Sequence, residues 1–140
     1  MQPPLSIEEQ PTAADLEVLE AQIIAYNYAQ TGARDGRQLA IFVRDDTEKI
    51  IAGLSGYTWG GFCEIQFLWV DETLRRQGYG AQLLQQAEAE ARVRGCTLII
   101  LGSYSFQAPD FYRRHGYEEV GRIADCPTGH THHYFKKMLA

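Results

Sequence analysis

The chain has 140 residues, enough for one domain with a hydrophobic core, and its 45% hydrophobic content excludes an intrinsically disordered protein. The net charge of −5 argues against nucleic acid as the main partner. No apolar run approaches the roughly 18–20 residues of a membrane span, so we expect no membrane partner. The first residues lack a signal-peptide pattern, and the three cysteines lack CxxC spacing. These features predict a single cytoplasmic domain over residues 1–140, with reduced cysteines.

The first predicted elements are a short strand over residues 5–10 and a helix that begins after Thr12. Thr12 is a plausible N-cap, and Asp15 lies near the exposed amides of the first turn. Apolar residues at three- and four-residue steps form one face of this helix: Leu16, Leu19, Ile23 and Tyr26. The helix should stop before Thr31, where a polar, glycine-containing loop over residues 31–36 follows.

The next segment predicts a meander of antiparallel strands. Residues 38–44 are short, β-branched and aromatic, residues 45–48 form a polar turn, and residues 49–59 return as the second strand. Gly53 and Gly56 weaken this strand or mark a bulge. Gly60-Gly61 indicates a tight hairpin, and residues 62–70 form the third strand. Strands followed by a helix indicate an α/β or α+β domain.

A basic turn, Arg75-Arg76-Gln77-Gly78-Tyr79-Gly80, connects that third strand to a long helix over residues 78–94. The first amides of a helix have no intrahelical acceptor, and the helix dipole attracts negative charge there. Gly78 and Gly80 would let a phosphate approach the backbone, and the arginines add positive charge. The pattern is neither a Walker loop nor the dinucleotide fingerprint. The alternative is an ordinary turn with a solvated basic corner.

The second half of the chain completes a mixed sheet. In the long helix, Leu83, Leu84, Ala87 and Ala91 line one side, whereas Gln82, Gln86, Glu88, Glu90 and Arg92 line the other. Residues 97–101 form a buried strand, and the strand–helix–strand order predicts a parallel, right-handed pair with residues 62–70. A short helix over residues 109–115 and strands over residues 117–123 and 132–138 follow.

Two linked motifs resemble those of the GNAT superfamily of acetyl-CoA-dependent N-acetyltransferases. The first is Leu68-x-Val70 followed by Arg75-x-x-Gly78-x-Gly80, and the second runs from Ala108 through Phe111-Tyr112 to Gly116-Tyr117. The resemblance covers about residues 62–121. It implies a mostly antiparallel mixed sheet of about six or seven strands, flanked by helices. The sheet would splay open between the strands 62–70 and 97–101 to admit acetyl-CoA.

The resemblance also implies which residues hold acetyl-CoA. The pantetheine arm would pair with the backbone of Leu68, Trp69 and Val70 as an added strand. Its pyrophosphate would lie on the 76–81 amides, so the site comprises Arg75, Arg76, Gln77, Gly78, Tyr79, Gly80 and Ala81, with the Tyr79 ring packing between helix and sheet. Ser105 departs from the family pattern, which has asparagine there. Gln107 is the candidate to replace that contact.

The same resemblance assigns the catalytic roles. Tyr112 matches the family tyrosine that acts as general acid toward the leaving thiolate, although a core aromatic is the alternative. Glu64 is the candidate general base. Strand alternation predicts that Glu64, Gln66, Leu68 and Val70 share one face of the sheet. The alternative for Glu64 is an exposed strand residue near a hairpin. No cysteine nucleophile is required, because direct transfer to an amine needs no acyl-enzyme.

His130, His132 and His133 do not have the spacing of a metal site, and neighbours on a strand point oppositely, so no metal is expected. One of them could serve the acceptor site or act as an alternative base. The predicted function is transfer of an acetyl group from acetyl-CoA to a small-molecule or protein amine in a ternary complex. The alternatives are a non-catalytic CoA-binding interaction module and a structural domain without CoA. Dimers are common among proteins that look like this one.

Overall fold

The computed structural model describes residues 1–139 and divides the chain into two compact units, Met1–Arg34 and Asp35–Ala140. The first unit contains helix α1, Ala13–Thr31. The Thr12 hydroxyl accepts a hydrogen bond from the Asp15 amide at 3.1 Å, and Gly32 ends the helix with φ +73°. The predicted strand over residues 5–10 is wrong, because that segment has no regular structure and a lone strand leaves its backbone unpaired. The single domain over residues 1–140 stays a prediction.

The second unit contains a sheet and two helices. Its elements are β1 Arg37–Arg44, β2 Ile50–Trp59, β3 Phe62–Val70, a short 3₁₀ turn Glu72–Leu74, α2 Tyr79–Val93, β4 Leu98–Tyr104, α3 Pro109–Arg114, β5 Glu118–Ala124 and β6 Thr131–Met138. Each of these helices and strands was predicted to within about three residues.

The sheet has six strands in the order β1-β2-β3-β4-β6-β5. Among residues 1–139, only β3 and β4 run parallel, as the strand–helix–strand order predicts, and all other strand pairs are antiparallel. The predicted mostly antiparallel mixed sheet flanked by helices is therefore confirmed.

Helix α2 buries its predicted apolar side against the sheet. Leu83, Leu84, Ala87 and Ala91 are all buried, and they join a core that includes Leu54, Ile99 and Phe135. Glu88 was expected on the exposed side of the helix, and this expectation is wrong. Its carboxylate is buried, where it accepts hydrogen bonds from the Tyr117 hydroxyl and the Lys137 ammonium, each at 3.0 Å.

Strand β3 carries a bulge at Gln66, because Ser55 of β2 pairs with Phe67 whereas Gly56 pairs with Ile65. A Cβ atom at Gly56 would lie 1.9 Å from the Glu64 carbonyl oxygen, so the strands approach closely there. A bulge reverses the alternation of the side chains that follow it. Before it, Cys63 and Ile65 face the core; after it, Leu68 and Val70 do.

The predicted shared face of Glu64, Gln66, Leu68 and Val70 is therefore wrong. Glu64 lies on the face of the sheet away from α2, together with Phe67 and Trp69. We call this the distal face.

Candidate active site

A gap opens in the middle of the sheet, where the only parallel strand pair separates. Pairing between β3 and β4 runs from Phe62 with Leu98 to Ile65 with Leu101 and goes no further. Beyond that point, β3 continues to Val70 paired only with β2, and β4 continues to Tyr104 paired only with β6. The inner edges of both strands are therefore left without a partner strand over several residues. This is the splaying that the resemblance implied.

The turn that follows β3 presents a set of unpaired backbone donors. Arg75 N–H donates to Glu72 O, and Gln82 N–H donates to Gly78 O at 3.0 Å. The backbone N–H groups of residues 76–81, which lie between Arg75 and Gln82, donate to no acceptor within residues 1–139. Arg76 and Gly78 both have left-handed backbones, with φ of +66° and +86°. The turn thus gathers donors at the positive end of α2, which is an arrangement suited to an anion.

Gly78 and Gly80 are needed in this turn for different structural reasons. A Cβ atom at Gly78 would meet nothing, so glycine is favoured there by its backbone conformation. A Cβ atom at Gly80 would lie 3.4 Å from the Phe111 ring of α3. We expected both glycines to open the backbone to a phosphate; at Gly80 the missing side chain also leaves room for Phe111, and the contact with a phosphate stays a prediction.

The basic side chains of the turn are exposed. The Arg75 guanidinium donates from Nε to the Val70 carbonyl at 3.3 Å, which ties the turn to the end of β3. Within residues 1–139 the Arg76 side chain has no ion pair, and Gln77 donates to Thr73 O at 3.5 Å. The Tyr79 and Ala81 side chains are half-buried in the first turn of α2. Arg76 therefore leaves a positive charge available beside the amides.

Helix α3 holds Tyr112 in the core. Its ring packs against Phe111, Tyr117 and Phe135, with centroid separations of 5.2, 5.8 and 6.0 Å. Burial raises the pKa of the Tyr112 phenol to about 12. None of the side-chain hydrogen bonds within residues 1–139 involves its hydroxyl, and no fully buried side-chain oxygen there lacks a partner, so this hydroxyl is not sealed in the core. The phenol is therefore protonated at neutral pH and available to donate.

Glu64 is half-buried on the distal face, where it accepts a hydrogen bond from the Tyr57 hydroxyl at 3.2 Å. The two residues are opposite each other in the β2–β3 register. Burial, then the Glu64 charge, raises the pKa of Tyr57 above its ordinary value. Tyr57 was not among the predicted site residues. Its pairing with Glu64 follows from the two-residue Gly60-Gly61 hairpin, which places Trp59 opposite Phe62 and Tyr57 opposite Glu64. The register of this predicted hairpin is the signal that could have found Tyr57.

Ser105 and Gln107 lie in the loop between β4 and α3, and both are used within the protein. The Ser105 hydroxyl accepts from the Thr131 amide at 3.0 Å, and the Gln107 side-chain oxygen accepts from the Tyr104 amide at 2.8 Å. Nearby, Ser103 accepts from the Ala108 amide at 3.3 Å. These bonds fix the loop that ends the gap on the β4 side. The contacts to a bound cofactor remain a prediction.

The histidines are divided between the two faces of β6, as expected for neighbours on a strand. His132 pairs in register with Tyr104, and His133 pairs with Ser103 on the core side. His133 is buried and its Nδ1 contacts the Glu119 carboxylate. In the described part of the chain, no three His, Cys, Asp or Glu side chains come together as a metal site. The cysteines at 63, 96 and 126 are free thiols.

Comparison with known proteins gives the family. Residues 6–117 match the model of the family described as "Acetyltransferase (GNAT) family". The chain is 35% identical over 129 residues to an acetyltransferase of Agrobacterium fabrum, covering 90% of this chain and 94% of that protein. It is also 35% identical over 108 residues to the blasticidin-S acetyltransferase of Streptomyces morookaense, covering 76% and 79%.

Solved structures agree with these matches. A crystal structure of an acetyltransferase from Bacillus cereus has 38% identity and a TM-score of 0.80, covering 96% of this chain and 98% of that one. An aminoglycoside 6′-N-acetyltransferase, solved in complex with coenzyme A, shares the fold with a TM-score of 0.65 at 17% identity, covering 83% and 79%. Among residues 1–139, no helix has the length and apolar character needed to cross a bilayer. The chain belongs to the GNAT acetyltransferase family, and it is an acetyltransferase enzyme.

Proposed function

We propose that this enzyme transfers the acetyl group of acetyl-CoA directly to a primary amine in a ternary complex. The observation that carries this proposal is the run of unpaired N–H groups over residues 76–81, placed beside a gap in the sheet. A diphosphate needs several convergent donors, and backbone amides at a helix N-terminus provide them without a metal. The coenzyme A complex of the aminoglycoside 6′-N-acetyltransferase, which shares this fold, supports the same ligand class.

The gap fits the extended arm of such a molecule. Backbone groups on the inner edge of β3, over Leu68, Trp69 and Val70, have no partner strand. An amide-containing arm can pair with them as a strand would, which directs its thioester toward the bottom of the gap. The Arg75 side chain uses the Val70 carbonyl, so the arm pairs with the remaining groups of this edge.

The side chains of Glu64 and Tyr112 and the backbone amides of β3 then carry out the acetyl transfer. The Glu64 carboxylate accepts a proton from the ammonium group, directly or through water, and this frees the nitrogen lone pair. That nitrogen forms a bond to the acetyl carbon as the carbon–sulfur bond breaks, while β3 amides polarise the carbonyl. Tyr112 donates its phenolic proton to the departing thiolate, and the second proton that the nitrogen loses as the amide forms restores the phenol. Glu64 releases its proton to solvent, and the products are an N-acetylated amine and CoA thiol.

Acceptor identity is proposed at the level of a small-molecule amine. One relative, 35% identical over 76% of this chain, is named a blasticidin-S acetyltransferase. The name of that protein gives a small molecule as its acceptor. The net charge of −5 and the half-buried Glu64 carboxylate favour a cationic partner. We also propose that the enzyme is cytoplasmic and that its reaction uses no metal.

An amine panel with detection of free CoA thiol tests the proposal. Wild-type enzyme should release thiol with at least one amine, and Glu64→Gln should lower kcat/KM by about 10²-fold, as expected for loss of a general base. The Val93→Ala variant, which loses only part of an exposed side chain at the end of α2, controls for general damage. Saturable acetyl-CoA binding without turnover of any amine would contradict the proposal and favour the non-catalytic CoA-binding module.

A further inference from the structure

A row of aromatic side chains crosses the distal face of the sheet at β4 and β6. Tyr104 stacks on Phe106 with ring planes 2° apart and centroids separated by 5.4 Å. The Tyr104 ring lies 4.3 Å from His132, which lies 4.2 Å from Tyr134. His130 meets Phe106 edge-on at 4.9 Å. We call Tyr104, Phe106, His130, His132 and Tyr134 the aromatic row.

The row lies beside the gap and on the face that carries Glu64. In the strand register, Glu64 is level with Ile100 of β4, and the next distal-face positions of β4 are Gly102 and Tyr104. These two positions lie beyond Leu101, where β3 has already separated. They pair with Tyr134 and His132 of β6. The aromatic row therefore borders the β4 side of the opening at which Glu64 would act.

Two members of the row are open to solvent, so the row is not simply core. Phe106 is 57% exposed and Tyr134 is 38% exposed. Glycine at position 102 keeps His132 over β4, because a Cβ atom there would lie 2.5 Å from His132 Nε2. Aromatic faces held at the surface in this way can stack with a flat ring.

The opposite side of the gap is also aromatic. Phe67 and Trp69 lie on the distal face of β3 and are 72% and 48% exposed. The Glu64 carboxylate lies on the same face, near the base of the gap. Lys136 also lies on this face, where it pairs in register with Ile100 of β4 and Glu118 of β5. The opening is thus lined by rings on both sides, with the Glu64 carboxylate near its base.

We infer that the acceptor is an amine that carries a flat aromatic ring. The ring stacks on the aromatic row, and the ammonium group faces Glu64. This inference rests on the proposed function and adds the acceptor class to it. Stacked rings gain energy beyond simple area burial, and ring faces attract cations. Flexible polyamines and saturated amino sugars have no ring to stack and should be poorer acceptors.

A matched pair of amines tests the inference. 2-Phenylethylamine and 2-cyclohexylethylamine have the same amine and linker and differ only in the aromaticity of the ring. Wild-type enzyme should acetylate the aromatic amine with a kcat/KM about fivefold or more above the saturated one, since a stacked pair contributes on that scale. Spermidine serves as the acceptor without a ring. Isothermal titration of each amine into the CoA-bound enzyme gives a readout independent of turnover.

Variants in the row identify its contribution. Tyr134→Leu and Phe106→Leu should reduce the preference for the aromatic amine to near unity and raise its KM, with the KM for acetyl-CoA unchanged. Gly102→Ala should act in the same direction, because it displaces the His132 ring. Val93→Ala, at an exposed position at the end of α2, should keep the preference.

The outcomes separate this inference from the proposed function. Acetylation of several amines with equal kcat/KM for the two ring amines overturns the inference and leaves the proposed function standing. An unchanged preference in Tyr134→Leu and Phe106→Leu also overturns it. Absence of turnover with every amine overturns the proposed function and, with it, the acceptor assignment.

Discussion

Two buried tyrosines near the carboxyl end of α3 show how the surroundings of a phenol decide whether its hydroxyl is bound within the protein. The Tyr117 hydroxyl donates to the Glu88 carboxylate at 3.0 Å, and burial followed by the Glu88 charge raises the pKa of Tyr117. The Tyr112 hydroxyl makes no such bond within residues 1–139, and burial alone raises its pKa to about 12. Of these two phenols, Tyr112 is therefore the one whose proton is not held by a side chain of residues 1–139, as the proposed general acid requires.

Replacing Tyr112 by phenylalanine should lower kcat by about 10²-fold, in the range for loss of a general acid. Thermal stability should hardly change, because the removed hydroxyl makes no side-chain hydrogen bond within residues 1–139. Tyr117→Phe is the matched comparison, and it should lower Tm because Glu88 loses a donor. Steady-state kinetics and thermal unfolding of both variants check this. A Tyr112→Phe enzyme with wild-type kcat would remove Tyr112 from the mechanism.

At the scale of elements, a buried ion pair joins α2, α3 and β6. The Lys137 ammonium donates to Glu88 at 3.0 Å and to the His115 carbonyl at 2.9 Å, at the C-terminal end of α3. Its charge also lies 5.5 Å from the centre of the Tyr117 ring. The helix that supplies the amides and the helix that carries Tyr112 are thereby held by one side chain of β6.

Lys137→Met should destabilise the fold by about 2 kcal/mol, because the buried Glu88 carboxylate loses its cation. This value is lower than for a fully buried ion pair because Lys137 is partly exposed. Denaturant unfolding measures this change. Lys136→Met, one residue away on the distal face, should change stability by less than about 0.5 kcal/mol. Equal effects of the two substitutions would contradict a specific role for the Glu88–Lys137 pair.

A second charged cluster fixes β5 to β6 and α3 through Glu119. Hydrogen bonds from Arg122 first, then from His133 and Arg113, hold the pKa of this carboxyl at about 2, below its ordinary 4.5. A pKa lowered in the folded state stabilises folding above the unfolded value. This contribution should therefore be present above pH 4.5 and be lost as the pH falls from 4.5 toward 2.

Unfolding free energies of wild type and Glu119→Gln between pH 6 and pH 3 check this prediction. The free energy of unfolding of the wild type should fall over the acidic part of this range. The variant should have a lower free energy of unfolding at pH 6 and a smaller decrease toward pH 3. Parallel curves for the two proteins would mean that Glu119 has an ordinary pKa in the folded state.

At the scale of the whole molecule, the order of elements and the gap could be predicted because they depend on local periodicity and on a motif. The face of the sheet on which Glu64 lies relative to Leu68 and Val70 could not be predicted, because the bulge at Gln66 reverses the alternation of side chains along β3. Gly56 did signal a bulge, yet the extra residue lies on the partner strand. The burial of Glu88 was also missed, since its partner Lys137 is distant in sequence and only the fold brings the two together.

The proposed mechanism requires that the unpaired amides of residues 76–81 and the open edge of β3 bind acetyl-CoA. Titration of acetyl-CoA into ¹⁵N-labelled protein, followed by backbone amide NMR, tests it most directly. We predict saturable shifts that are largest for residues 76–81 and for the inner edge of β3 over residues 67–70. Saturable binding that leaves the amides of residues 76–81 unshifted, or no binding at all, would contradict the account.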